Sequence, residues 1–325
     1  MLSWEGKKIL VTGGAGFIGS NLTANLLDLG ANVVVLDNLE TGKEHNLQPF
    51  LSNPKFTFIQ GDICAFSDVQ RAIQGVDAVS HQAALGSVPR SIEFPHRTHE
   101  VNATGFLNVL HAVKEYGVKR FVYASSSSVY GDSLVSPKTI GSEGNLLSPY
   151  AVTKSLNEQY AAVYHRLHQM ETVGLRYFNV FGPNQDPHGV YAAAIPKFIE
   201  LLSSGGTVTI HGDGEQTRDF TYVKNAVQAN LLALSTSQSS AFGKVYNVAC
   251  GQFFTLNNVV ENIQQHLLRL NQLHPEAKVV HGPERPGDIR DSLADITDTQ
   301  IQLNYTQPIL FESGMEEYLN AYFSH

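Results

Sequence analysis

Short runs of consecutive apolar residues alternate with longer stretches of helical spacing through the first half of the chain. Residues 8–12, 32–36, 56–60, 78–81, 121–124 and 172–176 are rich in β-branched side chains and apolar at successive positions. Parallel strands buried on both faces have this texture. The intervening stretches 20–29, 67–74, 101–116 and 149–169 have helical length. Alternating β and α predicts a parallel sheet with right-handed crossovers, hence a doubly wound α/β domain. In such sheets ligands bind at the carboxyl ends of the strands.

After Arg176 the pattern loosens. Residues 182–189 read as a loop, 192–203 as a helix ended by Gly205-Gly206, and 208–211 as a strand running into the turn Gly212-Asp213-Gly214. This predicts a smaller mixed lobe, with 235–240 a surface loop. A length of 325 residues accommodates one large α/β domain and such a companion.

Composition narrows the partners. Lys and Arg number 22 against 30 Asp and Glu, a net charge of -8, which argues against nucleic acid and against an anionic membrane. No run approaches the roughly 18 apolar residues of a membrane span, and the first apolar stretch, broken by glycines, does not read as a signal peptide. Cys64 and Cys250 form no Cys-x-x-Cys pair and suit a reducing compartment, so a cytoplasmic protein is expected. None of the 13 histidines has metal-ligand spacing, and no metal site is expected.

Two motifs carry chemistry. The run Gly13-Gly14-Ala15-Gly16-Phe17-Ile18-Gly19 follows the first strand and opens the first helix. Glycines there allow a tight turn and close approach of backbone to a pyrophosphate, which then meets the free N–H groups of the helix terminus. Asp37 ends the second strand about 20 residues further on, where a carboxylate binds ribose hydroxyls and repels a 2′-phosphate. NAD is therefore expected rather than NADP, with Asp62 placed to reach the adenine and Lys43 the one cation nearby. The second motif, Tyr150-x-x-x-Lys154, puts a phenol and an ammonium on one helical face, after a fifth strand that ends in Ser125-Ser126-Ser127-Ser128. A tyrosine titrates near 10 and a base at neutral pH near 7, so the site must supply about 4 kcal/mol in favour of the phenolate. Lys154 and an oxidised nicotinamide would provide it, while Ser126 shares the alcohol proton.

Together the glycine run, Ser126 and Tyr150-x-x-x-Lys154 resemble the extended short-chain dehydrogenase/reductase family. Leu175-Arg-Tyr-Phe-Asn179-Val-Phe-Gly-Pro183, Gly212-Asp-Gly-Glu-Gln-Thr-Arg218-Asp-Phe and Arg285-Pro-Gly-Asp288 resemble its nucleotide-sugar epimerase branch. The resemblance implies a Rossmann-like NAD domain over 1–177, with returning segments near 221–248, and a UDP-sugar lobe over 178–220 and 249–325. It further implies cofactor contacts from Gly13, Gly16, Phe17, Ile18, Gly19, Asp37, Asn38, Gly42, Asp62, Ile63, Ala83, Asn102, Tyr150 and Lys154. Arg218 and Arg285 would hold the diphosphate, Asn179 the diphosphate or sugar, and Asp288 would lie near the uridine ribose. Arginine is suited to such bidentate pairing. The implied reaction is removal of hydride from C4 of the sugar to tightly bound NAD and its return to the other face, with Tyr150 moving the O4 proton.

Within that branch, 84–91 and 186–196 are most similar to the UDP-N-acetylglucosamine 4-epimerases. Ser292 stands where epimerases restricted to non-acetylated sugars carry tyrosine, and a small side chain leaves volume for an acetamide. Ser87, Ser127, Gln185 and Ala193 are the remaining candidate sugar contacts. Ser127 and Ser128 replace the Asp-Glu pair that a 4,6-dehydratase needs, while Arg90 keeps uronic acid epimerases and decarboxylases open. A non-catalytic NAD-sensing module is the alternative from another class, and it would usually lack Tyr150. Apolar residues on more than one face of 101–116 and 149–169 suggest a helical homodimer interface. The resemblance also implies a homodimer and a role in polysaccharide biosynthesis.

Overall fold

The computed structural model describes residues 4–188, 192–284 and 290–324. The first part runs β1 (Lys8–Thr12), α1 (Phe17–Asp28), β2 (Asn32–Asp37), β3 (Phe56–Gln60), α2 (Phe66–Ala72), β4 (Ala78–His81), α3 (Val88–Glu93), α4 (Pro95–His99), α5 (Phe106–Glu115), β5 (Arg120–Ser126), α6 (Pro149–His168) and β6 (Glu171–Tyr177). The second part follows with β7 (Val180–Phe181), α7 (Ala194–Ser204), β8 (Thr207–His211), β9 (Thr217–Arg218), β10 (Thr221–Tyr222), α8 (Val223–Ser235), β11 (Lys244–Val248), β12 (Phe254–Thr255), α9 (Leu256–Arg269), β13 (Lys278–Gly282), β14 (Asp291–Ser292), α10 (Thr297–Leu303) and α11 (Phe311–Phe323).

Seven parallel strands form one sheet in the order β3-β2-β1-β4-β5-β6-β11. Alternate residues of each strand enter opposite cores, which explains why these strands are apolar throughout. Ile9, Val11, Val33 and Val35 pack under α1 and α8, while Leu10, Val34 and Leu36 pack under α2 and α5. The strand order reverses between β1 and β4, and ligands of doubly wound sheets bind at that point. The six strands expected from the pattern are all present. The seventh, β11, joins the sheet only after the chain has built part of the second lobe.

Two helices differ in outline from the pattern. The first begins at Phe17 rather than Ser20, because Gly16 is its N-cap and Gly19 lies inside its first turn. The stretch 101–116 divides into a π-helical segment, Glu100–Gly105, followed by α5. Gly105 accounts for the close packing at that junction, since a Cβ there would stand 2.7 Å from the Ile63 side chain. Helices α3, α4 and α8 to α11 were not anticipated above, although Thr255 caps α9 and Ser87 caps α3.

The lobe has its own core, drawn from α7, β8, α9 and α11, with Phe198, Ile210, Val260, Phe311 and Leu319 buried in it. Asp219, fully buried, ties this lobe to the sheet. Its carboxylate accepts the backbone N–H groups of Cys250 (3.1 Å) and Gly251 (3.1 Å), just beyond β11, and of Ala294 (3.3 Å), just before α10.

Candidate active site

The carboxyl ends of β1, β2, β4, β5 and β6 border a cleft of about 310 Å³. At its centre the first strand turns into α1. The Gly13 N–H donates to Leu36 O at 2.8 Å, and the Gly16 N–H donates to Gly13 O at 3.1 Å. Gly13 holds φ +70°, and a Cβ on it would meet Ala83 N at 2.6 Å. Gly16 gives α1 no side-chain cap, and no acidic residue occupies the first turn. The N–H groups at this helix end are thus left to bind an anion.

Gly13, Gly16, Phe17, Ile18, Gly19, Asp37, Asn38, Asp62, Ile63, Ala83, Tyr150 and Lys154 all line the cleft. Asp37 accepts the Ala15 N–H (2.9 Å) and the Leu39 N–H (2.8 Å). Burial raises its pKa against the pull of these two amides. Gly42 lies beside Asp37, where a Cβ would crowd the carboxylate at 2.9 Å. Burial also opposes ionisation of Asp62, but the Cys64 amide, Asn38 and Arg97 outweigh it and hold the carboxyl below its ordinary range.

Asn102, another expected cofactor contact, is not among the residues lining the cleft. It lies behind the cleft, exchanging hydrogen bonds with both backbone groups of Leu85 at 2.8 and 3.1 Å, and so shapes the loop after β4. Lys43 pairs with Asp186 at 3.3 Å. The cation that reaches Asp62 is Arg97 of α4, at 3.4 Å, and it also pairs with Glu40 and Glu100. Apart from Glu100 three residues on, the partners of Arg97 lie far from it along the chain, so its place at Asp62 has no local mark in the sequence.

At the other end of the cleft, Ser148 caps α6 by accepting the Ala151 N–H at 3.1 Å, which fixes Tyr150 in the first turn. Lys154, one turn on, is 3% exposed, donates to Ala124 O at 2.8 Å and lies 5.8 Å from the Tyr150 ring centre. Burial pulls its pKa down to about 8 against the opposing charge of Glu158. Burial raises the Tyr150 phenol above its ordinary 10.0, against the pull of the neighbouring Ser126 hydroxyl. Oxidised NAD bound here would supply the remaining positive charge. Gln82, Leu85, Gly86 and Tyr177 also line the cleft and were not singled out by sequence. Tyr177 donates to Gln82 at 3.0 Å and accepts from Asn230 at 2.7 Å. Their signal was available, since each follows or ends a sheet strand.

Of the serine run, Ser125 is taken by Glu158, and the buried Ser128 hydroxyl has no protein partner. Ser87 caps α3 by accepting the Arg90 N–H at 3.1 Å. Asn179 donates to Asp219 O at 3.1 Å, Gln185 donates to Val180 O at 3.1 Å, and Ala193 is the N-cap of α7. Arg218 lies on β9 with Phe254 of β12 on one side and Ser292 of β14 on the other. The candidates Arg218 and Ser292, 74 positions apart in sequence, are therefore cross-strand neighbours. Arg285 and Asp288 lie outside the described residues.

Known proteins share this arrangement. A solved UDP-N-acetylglucosamine 4-epimerase from Methanobrevibacter ruminantium M1, in complex with UDP-N-acetylmuramic acid, superposes with a TM-score of 0.90 at 37% identity, covering 98% of this chain and 99% of that one. A UDP-glucuronic acid 4-epimerase from Bacillus cereus, in complex with UDP-glucuronic acid and NAD, gives a TM-score of 0.84 at 30% identity over 97% and 100% of the two chains. The UDP-glucose 4-epimerase of Mycolicibacterium smegmatis is 33% identical over 315 residues, 95% of this chain and 96% of its own. Residues 9–249 match the model of the NAD dependent epimerase/dehydratase family. With a glycine turn and an uncapped helix at one end of the cleft and a Ser-Tyr-Lys cluster at the other, the chain is an NAD-dependent enzyme that belongs to that family.

Proposed function

We propose that the protein is a UDP-sugar 4-epimerase that converts UDP-N-acetylglucosamine to UDP-N-acetylgalactosamine. The observation that carries the chemistry is the convergence of Ser126, Tyr150 and Lys154 at the strand edge where the cleft ends. NAD held by the glycine turn, the α1 terminus and Asp37 would supply the hydride acceptor and donor for C4. Tyr150 takes the O4 proton, Ser126 holds that oxygen in place, and Lys154 stabilises the phenolate. The same phenol returns the proton after the 4-keto ring has turned over. The serines at 127 and 128 cannot serve as the acid that expels a C6 hydroxyl, which disfavours dehydration.

In this reading, 1–177 with the returning segment near 221–248 holds NAD, and the lobe of 178–220 and 249–325 holds the UDP-sugar. Arg218 and Arg285 grip the diphosphate, Asn179 contacts the diphosphate or sugar, Ser87, Ser127 and Gln185 contact the sugar or its acetamide, Ala193 contacts the substrate, and Asp288 lies near the uridine ribose. The small Ser292 beside Arg218 supports an acetylated sugar, since it leaves room next to the diphosphate where a tyrosine would fill it. The exposed Val152, Val163 and Leu167 of α6 support a homodimer built on that helix, in the cytoplasm.

Incubation with UDP-N-acetylglucosamine, UDP-glucose and the uronic acid of UDP-N-acetylglucosamine tests the reading. The expected result is the C4 epimer, fastest from the first substrate. A 4-keto-6-deoxy product, release of CO2, or no product from any of them refutes the 4-epimerase assignment, and a clear preference for UDP-glucose refutes the acetylated substrate.

A further inference from the structure

One turn beyond Lys154, α6 carries its one acidic residue, Glu158, which the reaction as proposed does not use. Ser125 on β5 and Arg176 on β6 face each other in register, and both bind Glu158 of α6. The Arg176 guanidinium grips Glu158 twice, through Nε to Oε1 at 2.8 Å and Nη2 to Oε2 at 2.7 Å, and its third nitrogen pairs with Glu143. Its carbon lies 4.7 Å from the centre of the Tyr130 ring, whose hydroxyl donates to Asn247 at 2.7 Å. Glu158 and Lys154, one helical turn apart, thus fasten α6 to consecutive residues of β5, Lys154 through Ala124 O and Glu158 through the Ser125 hydroxyl.

The charges alternate along this line: ammonium, carboxylate, guanidinium, carboxylate. Arg176 is the most buried link between the two acids, its side chain 3% exposed against 12% at Glu158 and 27% at Glu143. We propose that Glu158, clamped by Arg176, is a positioning residue for Lys154: it holds the ammonium charged and aimed at the Tyr150 phenol. This rests on the reading of Tyr150 as the proton-transfer group.

The other groups around Lys154 cannot take over the role. His81 of β4 is buried and neutral, its pKa pushed down to about 3 by burial and by Lys154 itself. Tyr123 of β5 is held as a neutral phenol by burial and by Glu158. Arg97 of α4 is engaged with Glu40, Asp62 and Glu100, and Lys114 of α5 with Glu115. Lys244 of β11 and Asp298 of α10 border a cavity on the far side of Glu158, away from the cleft. Burial alone pulls Lys154 towards losing its proton, and Glu158 is the charge that opposes this.

The test is the pH dependence of Tyr150 in the NAD-loaded protein, read as phenolate ultraviolet absorbance, with Tyr150→Phe subtracted to isolate the signal. Glu158→Gln should raise the apparent pKa of Tyr150 by about one unit. It should lower kcat at pH 7 about tenfold, leave KM within about twofold, and recover kcat as pH rises. Glu158→Asp should restore part of the shift. If Glu158→Gln does not fold, Glu143→Gln provides the second arm: Arg176 is left less neutralised, and the Tyr150 pKa should rise by a smaller amount. An unchanged Tyr150 titration, whether kcat is intact or lowered equally at every pH, overturns the proposal. If Tyr150→Phe removes no titrating signal from the wild type, the reading of Tyr150 falls first and the role of Glu158 with it.

Discussion

Replacing Gly19 with alanine adds one methyl group at the most crowded point of the glycine turn. A Cβ there would overlap the Gly13 carbonyl oxygen and stand 2.8 Å from both Gly13 C and Gly14 Cα. A relaxed carbon-to-oxygen contact needs about 3.3 Å, so the turn and the helix must part by roughly 1 Å. Neither yields easily. Gly13 is pinned by its hydrogen bond to Leu36 O and by Ala83 at its back, and α1 is anchored by Leu22 and Leu26, both fully buried. A displacement of that size at a binding geometry costs on the order of 100-fold, or about 2.7 kcal/mol of NAD affinity. Calorimetric titration of NAD into stripped protein, with the amount of NAD that copurifies as a second measure, checks this. A dissociation constant within threefold of wild type would show that the close approach of α1 to the turn does not set cofactor affinity.

Further outcomes follow from the same geometry. Tyr150→Phe should lower kcat by about 10²- to 10⁴-fold while NAD stays bound, measured by epimer formation and bound-cofactor absorbance. Ser292→Tyr should depress turnover of UDP-N-acetylglucosamine and spare UDP-glucose, and equal loss on both would remove the role given to that position. Lys154→Met should raise stability at pH 7 by about 2 kcal/mol, the relief of a depressed pKa less the lost hydrogen bond to Ala124 O. Since the folded pKa of Lys154 lies near 8, below its ordinary 10.5, wild-type stability should rise with pH across that window and the advantage of the variant should shrink, as read by urea unfolding. His81, neutral down to about pH 3 in the folded state, contributes a loss of stability as pH falls from 6.5 towards 3; His81→Leu should blunt that part of acid unfolding.

The sheet was legible in the sequence because burial on both faces leaves its strands apolar at every position, as at Val33, Val34, Val35 and Leu36. The cofactor end of the cleft was legible for a related reason: Gly13, Gly16 and Asp37 form a local signature fixed by one strand-turn-helix unit. What escaped was non-local. Arg97 reaches Asp62 from a helix that the hydrophobic pattern does not mark, and Asn102 has the composition of a ligand contact but spends its amide on Leu85. In the lobe, β9, β12 and β14 are two residues long, too short for any period to register. Only their pairing brings Ser292 to Arg218. Ser125 shows the limit of reading a run of like residues, because its hydroxyl turns to Glu158 while Ser126 faces the phenol.

The buried Asp219 carboxylate has a consequence for motion. It gathers the amide groups of two chain passages, one leaving β11 and one entering α10, and its own N–H donates to Ser292 O at 2.9 Å. To swing the lobe away from the sheet, all of these hydrogen bonds would have to break around a carboxylate with no access to water. The lobe is thus braced against the end of the sheet. In the epimerisation proposed above, where hydride would leave one face of the sugar ring and return to the other, such a brace would leave the pivoting to the ligand, turning inside a rigid mount.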